Sequence, residues 1–182
     1  MYLGVEIGGT KLQAGVCNRK GQLKALRRAS VMRGCGARGI LHQLENIIPP
    51  LLDSHDIEAV GVGFGGPVDS GRGRVVRSFQ VAGWTRFPLR QWFEKKFKLP
   101  VVVENDTNVA ALAEATVGAG KGKHVVFYSN VGTGIGGGLV IDGTLYNGRF
   151  GAMEIGHTKT LLNGTCATLE SLASGLAIEN RK

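Results

Sequence analysis

Cysteine is scarce in this chain. Cys17, Cys35 and Cys166 are odd in number and show no C-x-x-C spacing, which excludes a disulfide framework and a cysteine-rich zinc site. No apolar run reaches the roughly 20 residues that span a bilayer. Met1 leads straight into strand-like sequence rather than into a basic leader, so the expectations are a cytoplasmic setting and no membrane partner. No Walker-type GxxxxGK[ST] is present. Acidic residues are too few to balance the basic ones, and the net charge is +8. The excess is scattered over Arg27-Arg28, residues 72–77, 95–98 and 121–123, and no stripe alternates with aromatics. That pattern excludes a nucleic-acid partner and leaves a general attraction for anionic ligands.

Glycine, in contrast, is abundant, with 29 residues and no collagen period, so it marks many tight turns. Two of them resemble each other. Val5-Glu6-Ile7-Gly8-Gly9-Thr10-Lys11 and Ser129-Asn130-Val131-Gly132-Thr133-Gly134-Ile135-Gly136-Gly137-Gly138 each carry a β-rich run into a Gly/Thr turn and out as a second β-rich run. A turn without Cβ atoms lets backbone N–H groups approach a phosphate, and the Thr hydroxyl adds a further hydrogen-bonding group. Two such turns suggest two lobes that serve one polyphosphate.

Periodicity predicts strands over residues 2–7, 11–17 and 23–31, then a helix over 37–53 bent or ended by Pro49-Pro50. A strand follows over 57–63, an exposed one over 74–81, a helix over 88–97 and a short buried strand over 101–103. An Ala-rich helix over 107–117 stops at Gly118. Strands return at 123–131, 136–141 and 144–146, and a helix starts within 168–180. The order βββαβα…βα then βββα is a duplicated α/β pattern. It predicts an N-terminal lobe over 1–118 and a partial second lobe over 119–182.

Gly132 to Gly137 also matches GxGxxG, but a dinucleotide turn must open a helix, and here the β-rich Gly138-Leu139-Val140-Ile141 follows. Glu104-Asn105-Asp106 lies where a buried strand meets a helix. Read alone, Asp106 or Asn105 is either an Asx cap of that helix or a carboxylate at a strand's C-terminal end, where open α/β sheets place their ligands. In the second reading Asp106 takes the proton of an attacking hydroxyl and Asn105 holds the acceptor. Glu154 and His157, three apart between glycines, and Glu170 on a helix start read alone as surface groups.

Taken together, these stretches resemble the ROK family of sugar kinases and related repressors. The matching blocks are Glu6 to Lys11, Gly65-Gly66-Pro67-Val68-Asp69, Glu104 to Asn108, Gly132 to Gly138, Gly151 to His157, and Leu169-Glu170 with Ala173-Ser174-Gly175. They stand in family order along the whole chain. The resemblance implies an actin-like, RNase H-like ATPase fold with a hexose in the interlobe cleft, and ATP-dependent phosphorylation of a sugar hydroxyl, usually the 6-OH. It makes Asp106 the general base, and gives Asn105, Glu154, His157 and Glu170 the other hydroxyls, with Gly66 lining the pocket. Gly8, Gly9, Thr10, Lys11, Gly132, Thr133 and Gly134 would hold the ATP phosphates with Mg²⁺, and Glu6 would face the magnesium or its waters.

Four departures qualify the resemblance. Position 6 is Glu where the family most often has Asp. Gln80 precedes Trp84 where the family usually has Asn, a change expected to alter the sugar pocket. The CxCGxxGC zinc segment is replaced by Leu161-Leu162-Asn163-Gly164-Thr165-Cys166-Ala167-Thr168. One His and one Cys cannot make a four-coordinate site, so no zinc is expected and His157 needs another partner. Family members also continue past the point where this chain stops. The expectation is therefore a fragment or truncated relative, with exposed apolar surface and room for a homodimer. A non-catalytic sugar- or nucleotide-binding relative is the alternative to a kinase. A repressor is disfavoured because the first phosphate-turn strand begins at Tyr2.

Overall fold

A computed structural model describes residues 1–78, 80–148 and 153–181. The chain divides into two compact units, Met1–Asp106 and Thr107–Lys182, which are described separately.

The first unit opens with β1 (Tyr2–Ile7), β2 (Lys11–Cys17) and β3 (Leu23–Ser30). Alternating apolar residues set their register. Leu3, Val5 and Ile7 of β1 and Leu12, Ala14 and Val16 of β2 are at most 4% exposed, whereas Glu6 and Gln13 stand on the opposite face. The predicted helix over 37–53 is two helices, α1 (Gly36–Ile47) and α2 (Pro49–Asp53). Pro49 and Pro50 lack the N–H that would continue the ladder, but both fit the first turn of a new helix. Ile40, Leu44 and Ile48 are fully buried along one side.

β4 (Ala59–Phe64) then enters beside β1, in parallel. The stretch predicted as an exposed strand over 74–81 is mostly loop. Among its described residues only Arg74–Val75, β6, pair, with Val68–Asp69, β5. Val75 and Val81 are buried and Val76 is exposed. Val76 N–H donates to the Pro67 carbonyl and Val75 N–H to that of Phe87, so the loop folds back on its own neighbours. Trp84 anchors it, 1% exposed and edge-on to Phe64 and Phe87. α3 (Leu89–Phe97) buries Leu89 and Phe93, and β7 (Val101–Asn105) completes the sheet order β3-β2-β1-β4-β7. Because β1, β4 and β7 are parallel, their C-terminal ends gather at one edge. α4 (Asp106–Thr116) starts directly from β7.

In the second unit, β8 (Val125–Val131), β9 (Ile135–Ile141) and β10 (Thr144–Leu145) form an antiparallel sheet. Gly136 and Gly138 accept α4 against β9. A Cβ on Gly138 would lie 3.2 Å from the Thr107 carbonyl and 3.3 Å from Asn108 Cα. Then comes a hairpin that the sequence reading did not foresee, β11 (Lys159–Leu162) and β12 (Thr165–Thr168). Its turn is Asn163-Gly164, with φ of 51° and 78°, the left-handed pair that a two-residue hairpin loop requires. α5 (Leu169–Ala173) and α6 (Gly175–Glu179) close the unit. Thr168 and Ser174 cap them by accepting from the N–H groups of Ser171 and Ala177. Among the described residues no helix is long and apolar enough to cross a membrane.

Candidate functional site

The C-terminal edge of the parallel strands carries the site residues of the first unit. Gly8 N–H donates to the Lys11 carbonyl at 3.0 Å and closes the β1–β2 turn. Gly65 N–H donates to the Ile7 carbonyl at 2.9 Å, which draws the end of β4 onto the same turn. The absence of a side chain at Gly65 is what admits Asp106. A Cβ there would sit 3.3 Å from Asp106 Oδ2 and from the Ile7 carbonyl oxygen, and 3.5 Å from Gly8 Cα. The Asp106 carboxylate therefore lies against the first glycine turn. It also starts α4, where a negative charge is favoured by the aligned peptide dipoles.

Asn105 is fixed by donating from Nδ2 to the Gly66 carbonyl at 3.2 Å. Glu104 turns back to its own chain, its Oε1 accepting from Asn105 N–H at 2.8 Å. Gly65 thus lies beside both Gly8 and Asp106, and Asn105 is bonded to Gly66; the sequence reading left Gly65 without a role. Gln80 lies with its side chain against Gly9, so it touches the first glycine turn. Thr10 and Lys11 are exposed at the turn's tip.

The second unit builds its own turn differently. Gly132 N–H donates to the Gly134 carbonyl at 2.9 Å, and Gly175 N–H, at the start of α6, donates back to the Gly132 carbonyl at 2.8 Å. Glu170 braces the turn, its Oε2 accepting from Ile135 N–H at 2.8 Å. The same oxygen would be 3.3 Å from a Cβ on Gly156. Glu170 is therefore a structural acceptor for the Gly132–Gly134 turn, a role that sequence reasoning missed. The signal was the glycine at both 134 and 156, each the neighbour of one carboxylate. Glu154 and His157 are exposed on one short helical turn, with His157 N–H donating to the Glu154 carbonyl at 3.0 Å. Gly151 and Ala152, within the same motif, lie outside the described residues.

Sequence comparison matches residues 2–182 to the ROK family. The chain belongs to the ROK family. The glucokinase of Streptomyces coelicolor is 36% identical over 185 residues, covering 98% of this chain and 57% of that enzyme. The N-acetylmannosamine kinase of Yersinia pseudotuberculosis is 33% identical over 183 residues, covering 97% and 62%. Among solved structures, a ROK glucokinase from Streptomyces griseus in complex with glucose and AMPPNP superposes with a TM-score of 0.87 at 38% identity. That match covers 98% of this chain and 59% of the other. The fold is thus that of the ROK glucokinases, the actin-like ATPase fold, and the chain spans somewhat more than half the length of these relatives.

Within this ROK chain, residues 161–168, which the sequence reading aligned with a cysteine-bearing zinc segment, lie in the β11–β12 hairpin. Leu161 and Asn163 stand in the hairpin, and Cys166 is exposed on β12 opposite Leu161. Among the described residues no group of three His, Cys, Asp or Glu side chains converges as a metal cluster. Magnesium makes a smaller demand. It keeps several waters and takes one or two carboxylates together with substrate phosphates. Glu6, half-buried near the end of β1, fits that requirement.

Proposed function

We propose that this chain carries the sugar and phosphate site of an ATP-dependent hexose kinase that transfers a phosphoryl group to a sugar hydroxyl, the 6-OH. The observation that carries the reading is the Asp106 carboxylate beside Gly65, whose N–H is bonded to Ile7 at the entry to the Gly8 turn. It sets a proton acceptor beside a turn suited to phosphate. Asp106 takes the proton of the attacking hydroxyl as the bond to phosphorus forms, a contribution of about 10²–10⁴ in rate. Asn105, anchored on Gly66, holds the acceptor sugar, and Glu154, His157 and Glu170 pair its other hydroxyls, each of which needs a partner once desolvated. Gly8, Gly9, Thr10 and Lys11, with Gly132, Thr133 and Gly134, hold the phosphates through backbone N–H groups and the hydroxyls. Magnesium, when bound, neutralises the charge shared by the transferring oxygens, and Glu6 is the carboxylate that faces it.

The glucose and AMPPNP in the Streptomyces griseus structure support a hexose and a nucleoside triphosphate as ligands. The Yersinia relative, a kinase of an acetylated amino sugar, keeps such sugars among the candidates. The Asn-Gly hairpin in place of the cysteine loop supports a site that works without zinc. A cytoplasmic setting belongs to the same proposal, since the thiols of Cys17, Cys35 and Cys166 are free.

Two measurements test the reading. A thermal-shift panel of glucose, fructose, mannose and their N-acetylated amino forms, with and without ATP, ranks the sugars, because a ligand of the native state raises apparent stability. Stoichiometric zinc by plasma mass spectrometry would contradict the zinc-free site.

A further inference from the structure

One row of the first sheet crosses all five strands in register. Arg28 of β3 pairs with Gln13 of β2, Gln13 with Glu6 of β1, Glu6 with Gly63 of β4, and Gly63 with Glu104 of β7. All five stand on the face opposite the buried core. Glycines flank Glu6 on that face, Gly4 exposed and Gly63 buried. Gly63 is its partner on one side and Gly4 precedes it on its own strand. Gly4 is itself flanked by Gly15 and Gly61 in the next row. A carboxylate in such a field has few side chains to hold it, and its flexible stem would sample several rotamers. The directly paired neighbour that can hold it is Gln13, whose Nε2 donates to Glu6 Oε2. Gln13 is oriented in turn, because Arg28 Nε donates to its Oε1 at 3.2 Å. With the carboxamide oxygen engaged by Arg28, the NH₂ group faces Glu6.

We propose that Gln13, aligned by Arg28, is a positioning residue that fixes the Glu6 carboxylate for a phosphate-bound divalent cation. The inference rests on the reading of Glu6 as the magnesium-facing group. Gln13 does not touch the cation. It acts by holding one oxygen of Glu6, as partners behind a metal ligand commonly do, at a cost of about 10–100-fold in affinity when removed. The exposed backbone of Gly4, where an added Cβ would meet only the Gly15 carbonyl at 3.8 Å, leaves open space on the same face as Glu6.

The test is Mn²⁺ binding followed by electron paramagnetic resonance in the presence of inorganic tripolyphosphate, with folding checked by circular dichroism. Glu6→Ala is expected to abolish the bound signal, and Gln13→Leu to weaken Mn²⁺ by about tenfold. Gln13→Thr, a good strand former without a carboxamide, is expected to do the same and serves where the Leu variant does not fold. In a Glu6→Asp background the shorter carboxylate withdraws from Gln13, so Gln13→Leu should add no further loss. A merely structural role for Gln13 would not produce that non-additivity. Wild-type affinity in both Gln13 variants, with Glu6→Ala impaired, overturns the positioning role and leaves the metal reading standing. Unchanged binding in Glu6→Ala, or no Mn²⁺ uptake by the wild type, overturns the metal reading and this inference together.

Discussion

At the scale of single residues, glycine does most of the positioning. Gly65 admits the Asp106 carboxylate beside the first turn, and Gly156 leaves space for the backbone of Ile135 and the carboxylate of Glu170. A methyl group at 156 would collide with the Ile135 carbonyl, which is backbone and cannot swing aside. Gly156→Ala is therefore expected to destabilise the second unit by about 1–3 kcal/mol, the usual cost of overpacking, read as a lowered urea midpoint. Glu170→Ala should cost a similar ~1–3 kcal/mol, because it leaves Ile135 N–H without its acceptor. Glu170→Gln, which retains a carbonyl oxygen, should recover most of that stability. These contacts explain why Glu170 was only half legible in the sequence. Its motif pointed to a sugar hydroxyl, but its bond to Ile135 spans 35 residues and no local pattern reports it.

At the scale of elements, alternation was the reliable signal. β1 and β2 follow apolar residues two apart, and the strand–helix junction at Asp106 follows from the buried Val101 and Val103 running into an Ala-rich segment. The exposed strand predicted over 74–81 failed because Val75 and Val81 are buried by a loop that folds over Trp84, which is tertiary packing and not periodicity. The β11–β12 hairpin was missed although Asn163-Gly164 is a strong hairpin signal. Gly164→Ala, forced to φ near 78°, is expected to cost about 1 kcal/mol, measured by chemical denaturation.

The start of β4 offers a test against pH. Arg19 donates to Glu58 at 2.8 Å and holds its carboxyl below the ordinary glutamate range, with the Met1 amino group adding to the effect. A carboxyl whose pKa is lowered in the folded state contributes stability above its unfolded pKa of about 4.3. That contribution is lost as the pH falls through the folded value. Glu58→Gln should therefore flatten the acid limb of the stability profile and leave neutral pH nearly unchanged, since the pair is solvent-exposed. An acid limb identical to the wild type would show that the pair adds nothing.

At the scale of the molecule, two glycine turns of the same kind were readable in the sequence, and each lies between two antiparallel neighbours, β1 and β2 in the first unit and β8 and β9 in the second. The two are not used alike. The first turn is joined to a parallel strand end through Gly65 and to a carboxylate through Asp106, whereas the second is braced by Glu170 and Gly175. The most direct test of the account is sugar-dependent ATP turnover by the wild type and by Asp106→Asn, with sugar binding followed in parallel by thermal shift. The account predicts hexose-dependent ADP release that falls by at least about 10² in the variant, while the sugar-induced stabilisation is retained. Full turnover by Asp106→Asn would contradict it.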